Sequence, residues 1–257
     1  MGVVLGKTGI QVGRLSLGTV KFGRNTDVKY PSGFELPTDD DIVTLLRCCQ
    51  ELGINLLDTA PAYGTSEQRI GQLLPGRRED WVLCSKVGEH YSHGQSTYNY
   101  SWESVRESVA NSLARLKTDY LDVLLIHSDG NDLSIIEDTD IIDSLQRLKK
   151  EGLVRSIGMS TKTVEGTRAA IEFSDVLMVT LNIDDQSHLE VIREAEVHGC
   201  GLLLKKVLAS GHRSPEESLS FVLRAVKSGS AVVGTISPDH LRENFLKASY
   251  FLDEGGG

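Results

Sequence analysis

The chain has 257 residues, 40% hydrophobic and 25% charged, with 25 Gly and 6 Pro. This composition excludes collagen-like, mucin-like and disordered chains and suits one globular domain, residues 1–257, with a sizeable core. A formal net charge of −9, with acids and bases interspersed, argues against a nucleic-acid partner or a polybasic membrane patch, so any bound phosphate must be held by local groups.

Apolar runs fall well short of the roughly 18–20 residues that cross a bilayer, and no basic segment followed by a long apolar one opens the chain. Cys48, Cys49, Cys84 and Cys200 form no C-x-x-C pair, and Cys48 and Cys49 would point apart as helical neighbours. The expectation is a soluble, cytoplasmic protein with reduced thiols.

In chain order, apolar residues at 3–5 and 10–12 flank Gly6-Lys7-Thr8-Gly9 and predict a β-hairpin. Eight short apolar runs follow, at 14–17, 55–58, 81–86, 122–127, 155–160, 176–181, 202–205 and 231–234. They are mostly continuous in hydrophobicity, as parallel strands buried on both faces are. Helix signals lie between them. Thr38 with Asp39, Asp40 and Asp41 starts a helix running to about Leu52, its carboxylates against the positive end of the dipole. Val105, Val109, Leu113 and Leu116 place an apolar stripe on a helix after Ser101. Ser214-Pro215-Glu216-Glu217 reads as a capping box with proline at the first helical position, and Ser237-Pro238 repeats that start. Eight βα units in about 250 residues predict a (β/α)₈ barrel. A doubly wound sheet is disfavoured because no G-x-G-x-x-G stands at a strand-to-helix turn.

Active sites of such barrels form at the carboxyl ends of the strands. Asp58, Lys86 and His127 end the second, third and fourth runs, and Tyr63 lies five residues past Asp58, in a turn with Pro61 and Gly64. Each has a plain structural reading: Asp58 as a helix cap, Lys86 as a solvated end, His127 as a structural ring, Tyr63 as a cover for the rim. Together they form a proton-handling set. A phenol near pKa 10 is a poor acid or base at neutral pH, and an ammonium fixed by a carboxylate favours the phenolate and lowers that pKa.

The segment Gly53-Ile54-Asn55-Leu56-Leu57-Asp58-Thr59-Ala60-Pro61-Ala62-Tyr63-Gly64-Thr65-Ser66-Glu67 resembles the signature of the aldo-keto reductases. Further matches follow in order at Ser85-Lys86-Val87-Gly88, at 119–127 ending in His127, at Arg155-Ser156-Ile157-Gly158-Met159-Ser160, and at Leu241-Arg242-Glu243-Asn244. The resemblance covers nearly the whole chain, including the hairpin that plugs the barrel bottom in that family. It implies NADPH-dependent reduction of aldehydes or ketones, reversible and without a metal. Asp58, Tyr63, Lys86 and His127 match the catalytic tetrad: Tyr63 would donate a proton to the developing alkoxide, Lys86 and Asp58 would tune Tyr63, and His127 would hold the carbonyl oxygen.

The resemblance also implies cofactor contacts at Gly18, Thr19, Val20, Asp58, Ser160, Thr161, Met178, Lys205, Lys206, Val207, Leu208, Ser210, Gly234, Thr235, His240 and Asn244. Lys205-Lys206 and the turn from Val233 to Pro238 are suited to phosphate by themselves, through cationic side chains and amides at a helix start. Three positions depart from the family pattern: Thr161, Met178 and Lys205 stand where Asn, Gln and a ring stacked on the nicotinamide are usual. Thr161 retains a hydroxyl for the carboxamide, whereas Met178 cannot replace an amide. His240, fractionally charged at neutral pH, stands where a cation usually meets the 2′-phosphate, so NADH use remains open beside NADPH.

A short connection after strand seven, about 207–213, implies an open mouth lined by Phe22, Tyr91, Trp102 and the loop 128–132 with its Asp129 and Asp132. The expected partner is a small carbonyl substrate, with the chain monomeric or weakly self-associating. His90-x-x-His93 has metal-ligand spacing but no third ligand nearby. Two other functions compete with this reading: a Schiff-base aldolase using Lys86, Lys205 or Lys206, and a nucleotide-binding regulatory or redox-sensor protein on this scaffold with little turnover.

Overall fold

A computed structural model describes residues 2–28, 33–209 and 213–253. Strands β1 (Gly2–Val4) and β2 (Gln11–Gly13) form the predicted antiparallel hairpin. The eight predicted runs become β3 (Leu15–Gly18), β4 (Leu56–Asp58), β5 (Val82–Val87), β8 (Leu121–His127), β9 (Val154–Ser160), β10 (Val176–Thr180), β11 (Gly201–Lys205) and β12 (Ser230–Val233). Each pairs in parallel with the next, and β12 pairs with β3 to close the barrel. A second hairpin, β6 (Glu89–Ser92) with β7 (Gln95–Tyr98), departs from the mouth just past β5. It is absent from the sequence reading, because its polar residues carry neither a continuous nor an alternating apolar signal.

The helices are α1 (Val20–Gly23), α2 (Asp39–Glu51), α3 (Ser66–Leu73), α4 (Trp102–Leu116), α5 (Asp132–Glu137), α6 (Ile141–Lys150), α7 (Val164–Ala170), α8 (Leu189–His198), α9 (Pro215–Ala225) and α10 (Pro238–Asp253). Their starts follow the expected chemistry. Thr38 accepts from the Asp41 amide while the Asp41 carboxylate accepts from the Thr38 amide, a full capping box. Ser101 and Ser214 cap α4 and α9 through the amides of Ser104 and Glu217.

Period-two alternation in each strand sorts side chains between two cores. Leu57, Leu83, Leu124, Ile126, Leu177 and Leu204 face outward into one cluster with the helices. Leu56, Val82, Cys84, Val123, Leu125, Met178 and Leu203 face inward into a second. Leu5, Ile10 and Val12 of the first hairpin belong to that inner cluster. Leu5 lies against Gly201, the first residue of β11, so the hairpin plugs the amino-terminal end of the barrel and leaves the carboxyl end open. The four cysteines are buried free thiols.

Candidate active site

Strand termini converge on that open end. Asp58, His127, Ser160 and Lys205 are the last residues of β4, β8, β9 and β11, and Lys86 is one residue short of the end of β5. Tyr63 closes a 3₁₀ turn, Pro61–Tyr63, directly after β4. Pro61 presets the backbone of that turn. Gly64 follows at φ 62, where a Cβ would come within 2.1 Å of the Gly23 carbonyl oxygen. Glycine is therefore required for the turn to seat against α1 and bring Tyr63 over the barrel.

Beneath Tyr63 lies an ion pair removed from water. Lys86 Nζ donates to Asp58 Oδ1 at 2.5 Å and to the Thr59 carbonyl at 2.8 Å, with the two side chains 1% and 8% exposed. Burial pulls the Lys86 ammonium down, but Asp58, with smaller contributions from Tyr63 and Cys84, outweighs it and holds the amine well above its ordinary pKa. The same ammonium lies 4.8 Å from the centre of the Tyr63 ring. It favours the phenolate, as expected, yet the net shift of Tyr63 runs the other way. Burial pushes the phenol up to about 12, and the Asp58 charge adds to burial against Lys86. Tyr63 thus carries its proton throughout the physiological range, which suits a proton donor.

The Tyr63 and His127 rings meet edge to face, 6.2 Å between centres and 84° between planes. Nδ1 of His127 lies 2.7 Å from Glu89 Oε2 on β6, although its N–H is not well aimed at that oxygen. The Tyr100 hydroxyl donates to the His127 carbonyl at 3.0 Å. Burial lowers the pKa of His127 against the pull of Glu89, and Glu89 itself, despite burial, is drawn down to about 2 by His127 and Ser96. Glu89 is the site residue that sequence reasoning missed. Its only signal in the sequence is a lone carboxylate three residues past Lys86 and beside His90, a pattern that by itself points to no partner.

The expected cofactor residues divide. Ser160, Lys205 and Lys206 come together at the ends of β9 and β11, where Lys205 Nζ donates to Ser160 Oγ at 2.8 Å and to the Thr161 carbonyl at 2.7 Å. Burial, helped by the neighbouring charges of Lys206 and Lys86, drops the Lys205 amine to about 7. Thr161 departs from expectation: it is fully buried and its hydroxyl pairs with that of Thr167 at 2.6 Å, so that side chain is already engaged. Met178 is interior and 2% exposed. Gly18, Thr19 and Val20 run from β3 into α1, with the buried Thr19 hydroxyl donating to the Asp58 carbonyl. Val207 is buried, Leu208 packs on the outer core, and Ser210 lies outside the described residues. Gly234 and Thr235 form the turn before α10, whose start is capped by Ser237 Oγ accepting from the amide of the exposed His240. Asn244 is buried on that helix. A pair of lysines, hydroxyls and the amino end of a 16-residue helix at one rim are a donor set suited to a phosphorylated dinucleotide.

On the substrate side, two expected wall residues are corrected. Phe22 is fully buried in the outer core, and Asp132 is 1% exposed, its carboxylate accepting from Ser128, from the amides of Lys162 and Thr163, and from the Thr163 hydroxyl. Asp132 therefore ties loops together. Tyr91 is held beneath the Arg24 guanidinium, 3.4 Å from its ring centre, and donates to Asp27 at 2.6 Å. Trp102 packs under Arg147 at 4.0 Å. His90 and His93 bond Ser104 and Ser92, and the described residues hold no cluster of three potential metal ligands. No helix among them is long and apolar enough to cross a membrane.

The aldo/keto reductase family model matches residues 14–218. A solved structure of a provisionally assigned aldo-keto reductase from Pseudomonas aeruginosa superposes with a TM-score of 0.90 at 47% identity, covering 98% of this chain and 95% of that one. Among curated relatives, L-galactose dehydrogenase of Arabidopsis thaliana is 31% identical over 80% of this chain and 65% of its own. The NADH-specific methylglyoxal reductase of Escherichia coli is 31% identical over 72% of this chain and 60% of its own. The chain thus spans a little under two thirds of those two curated relatives.

Proposed function

The chain belongs to the aldo/keto reductase family, and from that premise we propose that it reduces aldehyde or ketone groups to alcohols, reversibly, with NADPH as the preferred cofactor and Tyr63 as the proton donor. One observation carries the reading: a phenol kept protonated sits over a buried Asp58–Lys86 pair and beside His127, at the open end of a barrel. Bound reduced nicotinamide supplies the hydride. Tyr63 gives its proton to the carbonyl oxygen as charge develops there, and the Lys86 ammonium stabilises the phenolate left behind. Asp58 keeps that ammonium charged and fixed. His127 places the oxygen. Lys205, Lys206, Ser160 and the start of α10 would hold the dinucleotide, with the buried inner core below excluding water.

Two features support a second reading, a nucleotide-binding regulatory or sensor protein with little turnover: the Thr161 hydroxyl is engaged by Thr167, and Lys205 occupies Ser160. Titration of tryptophan fluorescence with NADPH and NADH, followed by turnover of aromatic and aliphatic aldehydes, separates the two. Micromolar NADPH binding with turnover lost in Tyr63→Phe supports the reductase. Tight binding with negligible turnover on every carbonyl supports the sensor, and no binding of either cofactor defeats both.

A further inference from the structure

His127 is flanked by groups outside the tetrad. Its backbone carbonyl accepts from Tyr100, and Nδ1 lies 2.7 Å from Glu89 Oε2. Glu89 is 9% exposed and is itself fixed, since the Ser96 hydroxyl on the opposite strand donates to Oε1 at 2.5 Å. The hairpin carrying both is docked on the segment after α1 through Arg24 over Tyr91 and the Tyr91–Asp27 bond. A buried carboxylate supported this way is a costly feature unless its negative charge has a partner, and the imidazole is the group it approaches.

We propose that Glu89 is a positioning residue for the reaction: its negative charge, 2.7 Å from Nδ1 of His127, favours a proton on that nitrogen, so that Nε2 is the nitrogen that meets the substrate oxygen. The proposal rests on the reductase reading above. With Nδ1 protonated, a neutral imidazole offers a lone pair at Nε2 and accepts from an alcohol hydroxyl; the imidazolium offers an N–H and donates to a carbonyl oxygen. The proton that ends on the product oxygen still comes from Tyr63. His127 keeps its own, and Glu89 stabilises the cationic ring in which it is kept. Carbonyl reduction therefore needs the protonated ring and falls as pH rises through the His127 titration, which lies below the ordinary histidine value of 6.5. The groups facing His127 and Glu89 all bear on that titration. Lys86 and Lys205 oppose the cation and Glu89 favours it; Arg24 acts on Glu89, while the Tyr63 phenol and Tyr98 stay protonated.

The test is the titration of the His127 ring followed by NMR, its signal assigned by its loss in His127→Asn, in the wild type, Glu89→Gln, Glu89→Asp and Ser96→Ala, together with kcat/KM against pH for reduction of an aromatic aldehyde by NADPH. Glu89→Gln should lower the His127 midpoint by about one unit and move the limb of the pH profile by the same amount. It should reduce kcat while leaving the KM for NADPH within about twofold, as expected when a transition-state contact is weakened and the dinucleotide site is undisturbed. Glu89→Asp should restore part of the shift. Ser96→Ala, which loosens Glu89 without removing its charge, should move the midpoint less and in the same direction. A His127 midpoint in Glu89→Gln within about 0.3 unit of the wild type, at unchanged far-UV circular dichroism, overturns the proposal. Turnover surviving in Tyr63→Phe while Glu89→Gln still moves His127 sinks the reductase reading and leaves the pair standing.

Discussion

Replacing Lys86 by methionine removes an ammonium of similar shape from a site where it is 1% exposed and bonded to Asp58 at 2.5 Å. The Asp58 carboxylate, 8% exposed, is then left without its counter-charge. Stranding a buried charge in this manner costs about 3–5 kcal/mol. The lost bond to the Thr59 carbonyl adds about 1 kcal/mol. At roughly 2–4 °C per kcal/mol for a domain of this size, Lys86→Met should melt about 8–24 °C below the wild type. Changing both partners, Asp58→Asn with Lys86→Met, replaces the pair by neutral groups and should recover most of that loss, because a buried ion pair is worth little net of its desolvation. Urea unfolding followed by circular dichroism on the four-member cycle gives the coupling energy directly, expected at about 2 kcal/mol or more. The sign with pH is also set. The folded amine lies above its ordinary value of 10.5, so the stabilisation from charge pairing is fully present below that pH and is lost as pH rises through the folded value. Additivity of the two single substitutions within about 0.5 kcal/mol would refute the claim that Asp58 and Lys86 act as one buried unit.

Three further outcomes are expected. Glu67 is 1% exposed and accepts from Ser85, Ser112 and Arg115, tying α3 to β5 and α4; Glu67→Ala should cost about 3 kcal/mol in urea unfolding, and Glu67→Gln less. A Cβ on Gly158 would fall 1.7 Å from the Val176 carbonyl oxygen, so Gly158→Ala must part β9 from β10 and should leave little folded protein by gel filtration and circular dichroism. Lys205, drawn down to about 7, should be carbamylated by cyanate with a midpoint near pH 7 when followed by peptide mass spectrometry, and bound NADPH should protect it. Because this amine is released from its proton more easily folded than unfolded, its contribution to stability grows as pH rises from about 7 toward 10.5.

The barrel strands were legible because burial on both faces leaves them almost uninterruptedly apolar, and the polar residues that end those runs stand out for the same reason. Asp58, Lys86 and His127 stand out in that way, and Tyr63 by the turn that Pro61 and Gly64 make; the structure brings these four together at one end of the barrel. What stayed hidden depends on distance in three dimensions. Glu89 meets His127 only when β6 folds back toward a histidine 38 residues further on, a contact no local pattern encodes. The loss of the Thr161 hydroxyl to Thr167 is a matter of how the loop after β9 enters α7. The direction of the Tyr63 shift was misjudged for a different reason: the Lys86 charge can be read from sequence, whereas the burial that outweighs it cannot. Asp132, exposed in a sequence reading as a loop acid, is instead the hub onto which Ser128, Lys162 and Thr163 converge.

The central claim is that Tyr63 protonates a carbonyl as it receives hydride at this barrel mouth. The most direct measurement is transfer of deuterium from NADPH deuterated at both C4 positions to an aldehyde, followed by mass spectrometry of the alcohol, in the wild type and in Tyr63→Phe. The account predicts one deuterium on the carbinol carbon in the wild type and loss of alcohol formation in the variant, with cofactor binding largely kept. Undiminished deuterated alcohol from Tyr63→Phe, or product without deuterium from the wild type, would contradict it.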